Sequence, residues 1–363
     1  MTSTDPKYDR RSFIAKSSLT LAAVAFRSAY SARKSIPTLG GKIHPGQLGT
    51  TLMHEHLLWF GGPMAENVNY VPIPDHLRSA SVDYVVSLLN EAYRVGIRTL
   101  VDLTPFRPID LYMQIARRSK VNIITSTGFY RQSKVPQWMA EMKDEKAMEE
   151  LITKDITQGI GGTRFKAGMI KVAQEGSTLT PWEIKTFSAA AHVNKHHGTP
   201  ITTHTGNAVE QFNLLIKEGA NPNQIILSHV DVGRHGNPGV LINLAKQGSY
   251  LEVDTFGQDY YTPWEELVAF LRALCDAGLS NKIIISMDSN WHWEHETKIF
   301  EGSGPPNNDA YADRRTFSYM MTDAVPKLLK SGFSTKEVNT FLIDNPRNFF
   351  FKYGCRLKLV NSV

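Results

Sequence analysis

Four histidines, one lysine and one aspartate fall in or at the ends of short apolar runs rich in β-branched residues. His54-Glu55-His56 lies within Thr51–Leu58. Residues two apart on a strand share a face, so both imidazoles point the same way. Lys171 sits inside Ala167–Ala173, His204 near the end of Pro200–Thr205, His229 at the end of Gln224–His229, and Asp288 at the end of Lys282–Asp288. Imidazole nitrogens and a carboxylate are a donor set for zinc, the first expectation, or for manganese, cobalt or iron. A lysine in an apolar run is costly, and its ammonium repels a metal. A neutral lysine amine that has added carbon dioxide is instead an anionic carbamate with two ligand oxygens. Each residue alone has an ordinary explanation, such as a satisfied core histidine or a snorkelling lysine. The order His-x-His, Lys, His, His, Asp on runs one, four, five, six and eight is what points to a metal centre.

These residues need elements that bring the run ends together. Further strand-like runs are read at Thr99–Thr104, Asn122–Gly128 and Ser249–Thr255. Between the runs lie amphipathic stretches, among them Val82–Val95, Ala147–Gln158, Pro181–Lys195, Trp264–Ala277 and Thr316–Lys330, and Pro346–Phe351 forms a last short helix. Eight β/α units in one α/β domain over 33–363 predict a (β/α)8 TIM barrel, whose chemistry sits where the strands end. The rival is an open doubly wound sheet, and no Gly-x-Gly-x-x-Gly follows the first run to favour its dinucleotide-binding form. Two long loops, Tyr130–Asp144 and Ser289–Asp313, fall on the reactive face.

Composition narrows the partners. The 363 residues are 42% hydrophobic and 21% charged, which excludes collagen, disorder and coiled coil. Two cysteines, Cys275 and Cys355, exclude a disulfide scaffold or a cysteine zinc cage. Of the net charge of +5, +3 belongs to residues 1–32, so no basic footprint for nucleic acid remains. Those first residues read as a leader. Asp9-Arg10-Arg11-Ser12-Phe13-Ile14-Ala15-Lys16 precedes an apolar run, Leu19 to Phe26, and small residues at Ala29, Ser31 and Ala32. The pattern resembles a twin-arginine signal, cut after Ser31 or Ala32. The expected partner is the twin-arginine export machinery, and the expected location is periplasmic or extracellular.

Thr51-Leu52-Met53-His54-Glu55-His56-Leu57, Ala167-Gly168-Met169-Ile170-Lys171-Val172-Ala173, Pro200-Ile201-Thr202-Thr203-His204-Thr205, Ser228-His229-Val230-Asp231 and Ser286-Met287-Asp288 resemble the phosphotriesterase-like branch of the amidohydrolase superfamily. The resemblance runs from about Gly46 to Phe351. It implies a TIM barrel with two divalent ions: His54, His56 and Asp288 on the inner one, His204 and His229 on the outer one, and Lys171, as N6-carboxylysine, bridging both. It also implies a bridging hydroxide as nucleophile. Two metals lower the pKa of a shared water and polarise a P=O or C=O oxygen, and Asp288 can accept the proton. The expected reaction is hydrolysis of a small-molecule ester, either a lactone or carboxylic ester or a phosphotriester. By the same resemblance Tyr130 lies over the leaving-group side, Asp231 and Asp254 support the ligands, and the protein forms a homodimer. The sequence departs from the family's triesterases and lactonases at Thr255, where a histidine or arginine stands in those groups, and at Val232, where a relay carboxylate is expected. Strand seven looks like that of the family's homology proteins, which often carry Glu in place of Lys171.

Other residues have two readings each. Arg234 and His235 contact substrate or form a solvated loop pair. Trp291, His292, Trp293 and His295 wall an apolar pocket or simply pack their loop. His196-His197 beside Gly198 ends a helix, and Cys275 reads as core. The rival to a hydrolase is a metal-retaining barrel with a binding or structural role in the periplasm. Turnover on lactones and activated esters, with and without chelator, separates the two.

Overall fold

A computed structural model describes residues 35–60, 75–204, 206–232, 238–294, 298–301 and 315–352, with backbone alone at 59, 60, 290–294 and 298–301. The leader, Arg234, His235 and the side chain of Trp291 lie outside the described residues. Eight strands run β1 Thr50–Phe60, β2 Ile97–Asp102, β3 Asn122–Gly128, β4 Met169–Lys171, β5 Ile201–Thr202, β6 Ile225–Leu227, β7 Tyr250–Val253 and β8 Ile283–Ile285. Each pairs in parallel with the next in the chain. Helices alternate with them: α1 Asp75–Arg94, α2 Ile109–Arg118, α3 Glu145–Thr157, α4 Pro181–His197, α5 Ala208–Lys217, α6 Pro238–Lys246, α7 Trp264–Asp276 and α8 Val325–Lys330. This is the (β/α)8 TIM barrel the alternation predicts.

The barrel closes by an unusual route. Strand pairing stops at Ile285, three residues short of the run read from sequence, because Asp288 turns into positive φ (49°). The Asp288 N–H donates to the His54 carbonyl at 3.0 Å. The chain then continues as β9, Ser289–Glu294, which pairs in parallel with β1. β10, Lys298–Glu301, returns antiparallel to β9, so part of the stretch read as a loop is a strand pair carrying Trp291.

Side chains of the strands serve two cores. Leu52, Ile123, Ile170 and Leu251 pack outward with the helices, each fully buried aliphatic contributing roughly 1.5–3 kcal/mol. Val101, Ile124, Met169, Ile226 and Ile284 fill an inner cluster with Phe349 and Phe350. On β4 this alternation places Met169 inside, Ile170 outside and Lys171 inside.

Local chemistry fixes the helix ends. Thr180 and Glu183 form a reciprocal capping box, Pro181 takes the first turn, and Gly198 ends α4 at φ 69°. The helix read over Thr316–Lys330 forms from Tyr319 on, with a widened turn inside it. A wide turn, Met320–Ala324, precedes Val325-Pro326, and another, Thr340–Asp344, precedes Asn345-Pro346. Proline has no N–H and clashes with the carbonyl four residues back, so the turn before it widens. No helix among the described residues is long and apolar enough to cross a membrane.

Candidate metal centre

The predicted ligands meet at the C-terminal end of the barrel. From β1, His54 Nε2 and His56 Nε2 approach the same Asp288 oxygen, Oδ1, at 3.7 and 3.1 Å. From β4, Lys171 Nζ lies 3.1 Å from His54 Nε2 and donates to the Thr203 carbonyl at 3.0 Å. Beyond β5 and β6, His204 Nδ1 faces His229 Nε2 at 2.8 Å. His54, His56, Lys171, His204 and His229 are buried, and the Asp288 side chain keeps 18% exposure, which opens the site on one side.

The opposite ring nitrogens show which lone pairs are available. His54 Nδ1 lies 3.0 Å from Glu252 Oε2 and 2.8 Å from Asp254 Oδ2. His229 Nδ1 lies 2.7 Å from Asp254 Oδ1, and His56 Nδ1 shares a 2.8 Å hydrogen bond with the Thr104 hydroxyl. Carboxylates accept, so Nδ1 of His54 and His229 carries the hydrogen and Nε2 presents a lone pair. Asp254 also lies close enough to these Nδ1 atoms to form a ligand trio with His54 and His229. Distances of 2.7 and 2.8 Å are hydrogen-bond lengths, so Asp254 orients two imidazoles. Asp231 in turn accepts from the Thr255 N–H (3.0 Å) and hydroxyl (2.6 Å) and from the Asp254 N–H (3.3 Å). This is the supporting place expected of Asp231 and Asp254.

Burial holds His56 at about 3 and His229 at about 4, and pushes His204 well down, so these imidazoles are neutral donors. Burial alone would push Asp288 up, but the His56 hydrogen bond and the neighbouring histidines hold it well below the usual carboxylate range. Burial lowers Lys171 to about 8, against the opposing pull of Asp288, Glu252 and Asp254. The amine is therefore unusually easy to present neutral. Convergent imidazole lone pairs, an ionised carboxylate and a deprotonatable amine fit a pair of divalent ions.

The backbone carries strain where the ligands sit. His229 (φ 55°) and Asp288 (φ 49°) are the positive-φ residues other than glycine among those described. Such conformations cost about 1–3 kcal/mol and concentrate at functional sites. Gly128 serves Tyr130: a Cβ there would lie 2.1 Å from the Lys171 carbonyl. Only glycine lets β3 and β4 approach this closely, and the Tyr130 hydroxyl then reaches His204 Nε2 at 3.1 Å.

Sequence reading missed four supporting residues. Glu252 is buried between His54 and Ser228, whose hydroxyl donates to it at 2.5 Å. Thr104 orients His56, and Arg131 Nη2 lies 3.0 Å from His204 Nε2. Ser286 accepts the His54 N–H at 3.0 Å and donates to Glu55 at 2.8 Å. The signal for Glu252 was present in Glu252-Val253-Asp254, the same two-residue spacing that marked His54 and His56.

The chain matches the profile of the phosphotriesterase family over residues 34–350. It is 30% identical over 309 residues to the phosphotriesterase homology protein of Escherichia coli, covering 83% of this chain and 98% of that one. It is 28% identical over 354 residues to the N-acetyltaurine hydrolase of Salmo salar, covering 86% and 97%. The solved structure of the phosphotriesterase from Mycobacterium tuberculosis superposes with a TM-score of 0.76 at 25% identity, covering 88% and 99%.

Proposed function

The chain belongs to the phosphotriesterase family, and from that premise we propose a binuclear metal-dependent hydrolase that cleaves ester bonds. The observation that carries the reading is the convergence of His54, His56 and Asp288 beside the His204–His229 pair, with the Lys171 amine against His54. His54, His56 and Asp288 would hold one ion and His204 and His229 the other, with Lys171, as a carbamate, reaching both. Bound there, such a pair, zinc foremost, supplies an acidified water and polarises the scissile oxygen.

The chain's own groups do the rest. Asp288, ionised and partly exposed, takes the proton from the attacking water. Asp254 keeps His54 and His229 in one tautomer, so neither ring competes for that proton. Thr255 donates to Asp231, which makes it a strut for strand seven. Proton release from Asp288 then runs through water at the open side of the site.

Lactones, carboxylic esters and phosphotriesters are the ester classes in reach. Similarity to an N-acetyltaurine hydrolase favours a second reading, hydrolysis of an N-acyl amide by the same residues. The leader, Arg10 and Arg11 within it, is proposed to send the folded enzyme out of the cytoplasm. The hydrolase is tested by turnover on a panel of lactones, aryl esters, phosphotriesters and N-acyl amides. The panel is run on protein stripped by chelator and on protein reconstituted with zinc or manganese and bicarbonate. Turnover that appears on reconstitution supports the reading, and metal-loaded protein inert on the whole panel contradicts it.

A further inference from the structure

A cavity of about 750 Å³ opens on the outer side of the barrel wall, between the connection after β2, the end of β3, the short helix Gln137–Ala140, α3 and the turn Ile160–Gly162. None of the metal ligands lines it. Side chains alternate across β3: Ile124 fills the inner cluster, Ile123 packs outward, and Thr127 has the parity of Ile123. The Thr127 hydroxyl accordingly reaches α3, where it donates to Asp155 Oδ2 at 2.6 Å. Apolar walls with a few polar groups, around a volume of roughly 300–1,000 Å³, are the make-up of small-molecule sites. The walls here are Phe106, Ile109, Trp138, Met139, Leu151 and Ile160. Trp138 keeps 57% exposure, so much of its indole face is open.

Asp155 gives this cavity a charge preference. It lines the cavity, and among the described residues no donor pairs with its Oδ1 and no cation forms an ion pair with it. Arg107, also on the wall, is committed elsewhere: Nε lies 3.3 Å from Asp102 Oδ2, and Nη2 donates to the Thr104 and Ser126 carbonyls. Lys154 is the adjacent position on α3, and adjacent helix positions do not face each other. Burial pushes the Asp155 carboxyl up, against the pull of the Thr127 hydroxyl, Arg107 and Lys154. A carboxylate so poorly solvated gains from a cation placed against it. The faces of tryptophan and phenylalanine attract a cation too.

We propose that this cavity is a second ligand site, separate from the metal centre, for a small hydrophobic amine whose ammonium pairs with Asp155 and whose apolar part packs on Trp138 and Leu151. Charge-assisted pairs are the strong hydrogen bonds, and the apolar walls supply the area. The site needs no metal and no turnover, so it stands or falls apart from the hydrolase reading.

The test is calorimetry on the whole metal-loaded protein with two probes that share a ring and differ in charge, 1-naphthylmethylamine and 1-naphthylacetate. Wild type should bind the amine about tenfold or more tighter than the acid. Asp155→Asn keeps an acceptor for Thr127 and removes the charge, so the Kd of the amine should rise about tenfold while that of the acid does not rise. Leu151→Trp fills the cavity and should remove amine binding, with metal content unchanged. Wild type that binds the amine no better than the acid, or binds no amine at about 1 mM, overturns the proposal. So does an amine Kd that Asp155→Asn leaves unchanged, or amine binding that survives in Leu151→Trp, since either places the amine elsewhere, at the metal centre or on the surface. Should Leu151→Trp fail to fold, the two probes on wild type and Asp155→Asn decide alone.

Discussion

The two halves of the ligand cluster are anchored differently. On the side of His54, His56 and Asp288 the side chains that orient the two imidazoles lie on, or just beyond, barrel strands. Glu252 and Asp254 fix one imidazole, Thr104 fixes the other, and the Ser286–Glu55 pair ties Asp288 to β1. On the side of His204 and His229, Asp254 fixes His229, but His204 is held by Tyr130 and Arg131 from the loop that follows β3. The first half is preorganised by strands. The second depends on a loop whose residues also face the entrance. On the proposed reading one half holds its ion from the barrel strands, and the other holds its ion beside the entrance.

The largest effect is expected at Asp288, where the first half meets the reacting water. Asp288→Asn keeps one ligand oxygen and loses the proton acceptor. Steady-state kinetics should show a rate about 10²–10⁴-fold lower with metal content largely retained. An unchanged rate would assign the base elsewhere, with Asp231 next in line.

The Lys171 amine packs against His54, and under the proposed carbamate its neutral form is what would add carbon dioxide. With its pKa lowered to about 8 by burial, the neutral fraction grows as pH rises through that value and shrinks about tenfold per unit below it. At equal dissolved carbon dioxide, reconstitution with zinc should accordingly run roughly fiftyfold faster at pH 8 than at pH 6. Reconstitution independent of pH across that range would argue against a carbamate.

Asp254 touches both halves, through His54 and His229. Asp254→Asn should weaken metal binding about 10–100-fold at both positions, measured by competition with a chelator. Loss at the His54 position alone would show that His229 is oriented by another group.

Glu55 sharpens the contrast from the side of stability. Its two oxygens accept from the Ser286 hydroxyl (2.8 Å), the Met287 N–H (3.1 Å) and the Ser289 N–H (2.7 Å). In Glu55→Gln one oxygen becomes an N–H₂ that faces the Ser289 or the Met287 donor. Urea unfolding should show a loss of about 1–3 kcal/mol, the cost of one buried unsatisfied donor. A neutral result would mean that the β8–β1 seam does not depend on Glu55.

Most of the first half was legible in the sequence. Period-two spacing in His54-Glu55-His56 and the apolar setting of Lys171 follow directly from strand geometry. Strand order was legible too, because each β/α unit places its strand beside the preceding one. The closure of the barrel was not. It depends on positive φ at Asp288 and on β9 pairing with β1, which no composition or periodicity encodes. Arg131 stayed hidden for a related reason: a loop residue has no period, and its relation to His204 exists only once β3, β4 and β5 are side by side. The widened turns before Pro326 and Pro346 were open to sequence reading, since both prolines are in plain view.

The central claim, two ions held by two differently built halves with a modified lysine between them, is most directly tested by anomalous scattering from crystals of protein reconstituted with zinc and bicarbonate. The account predicts two anomalous peaks, one among His54, His56 and Asp288 and one between His204 and His229, with continuous density for a carbamate on Lys171 reaching both. A single ion held by His54, His229 and Asp254, with an unmodified Lys171 amine, would contradict it.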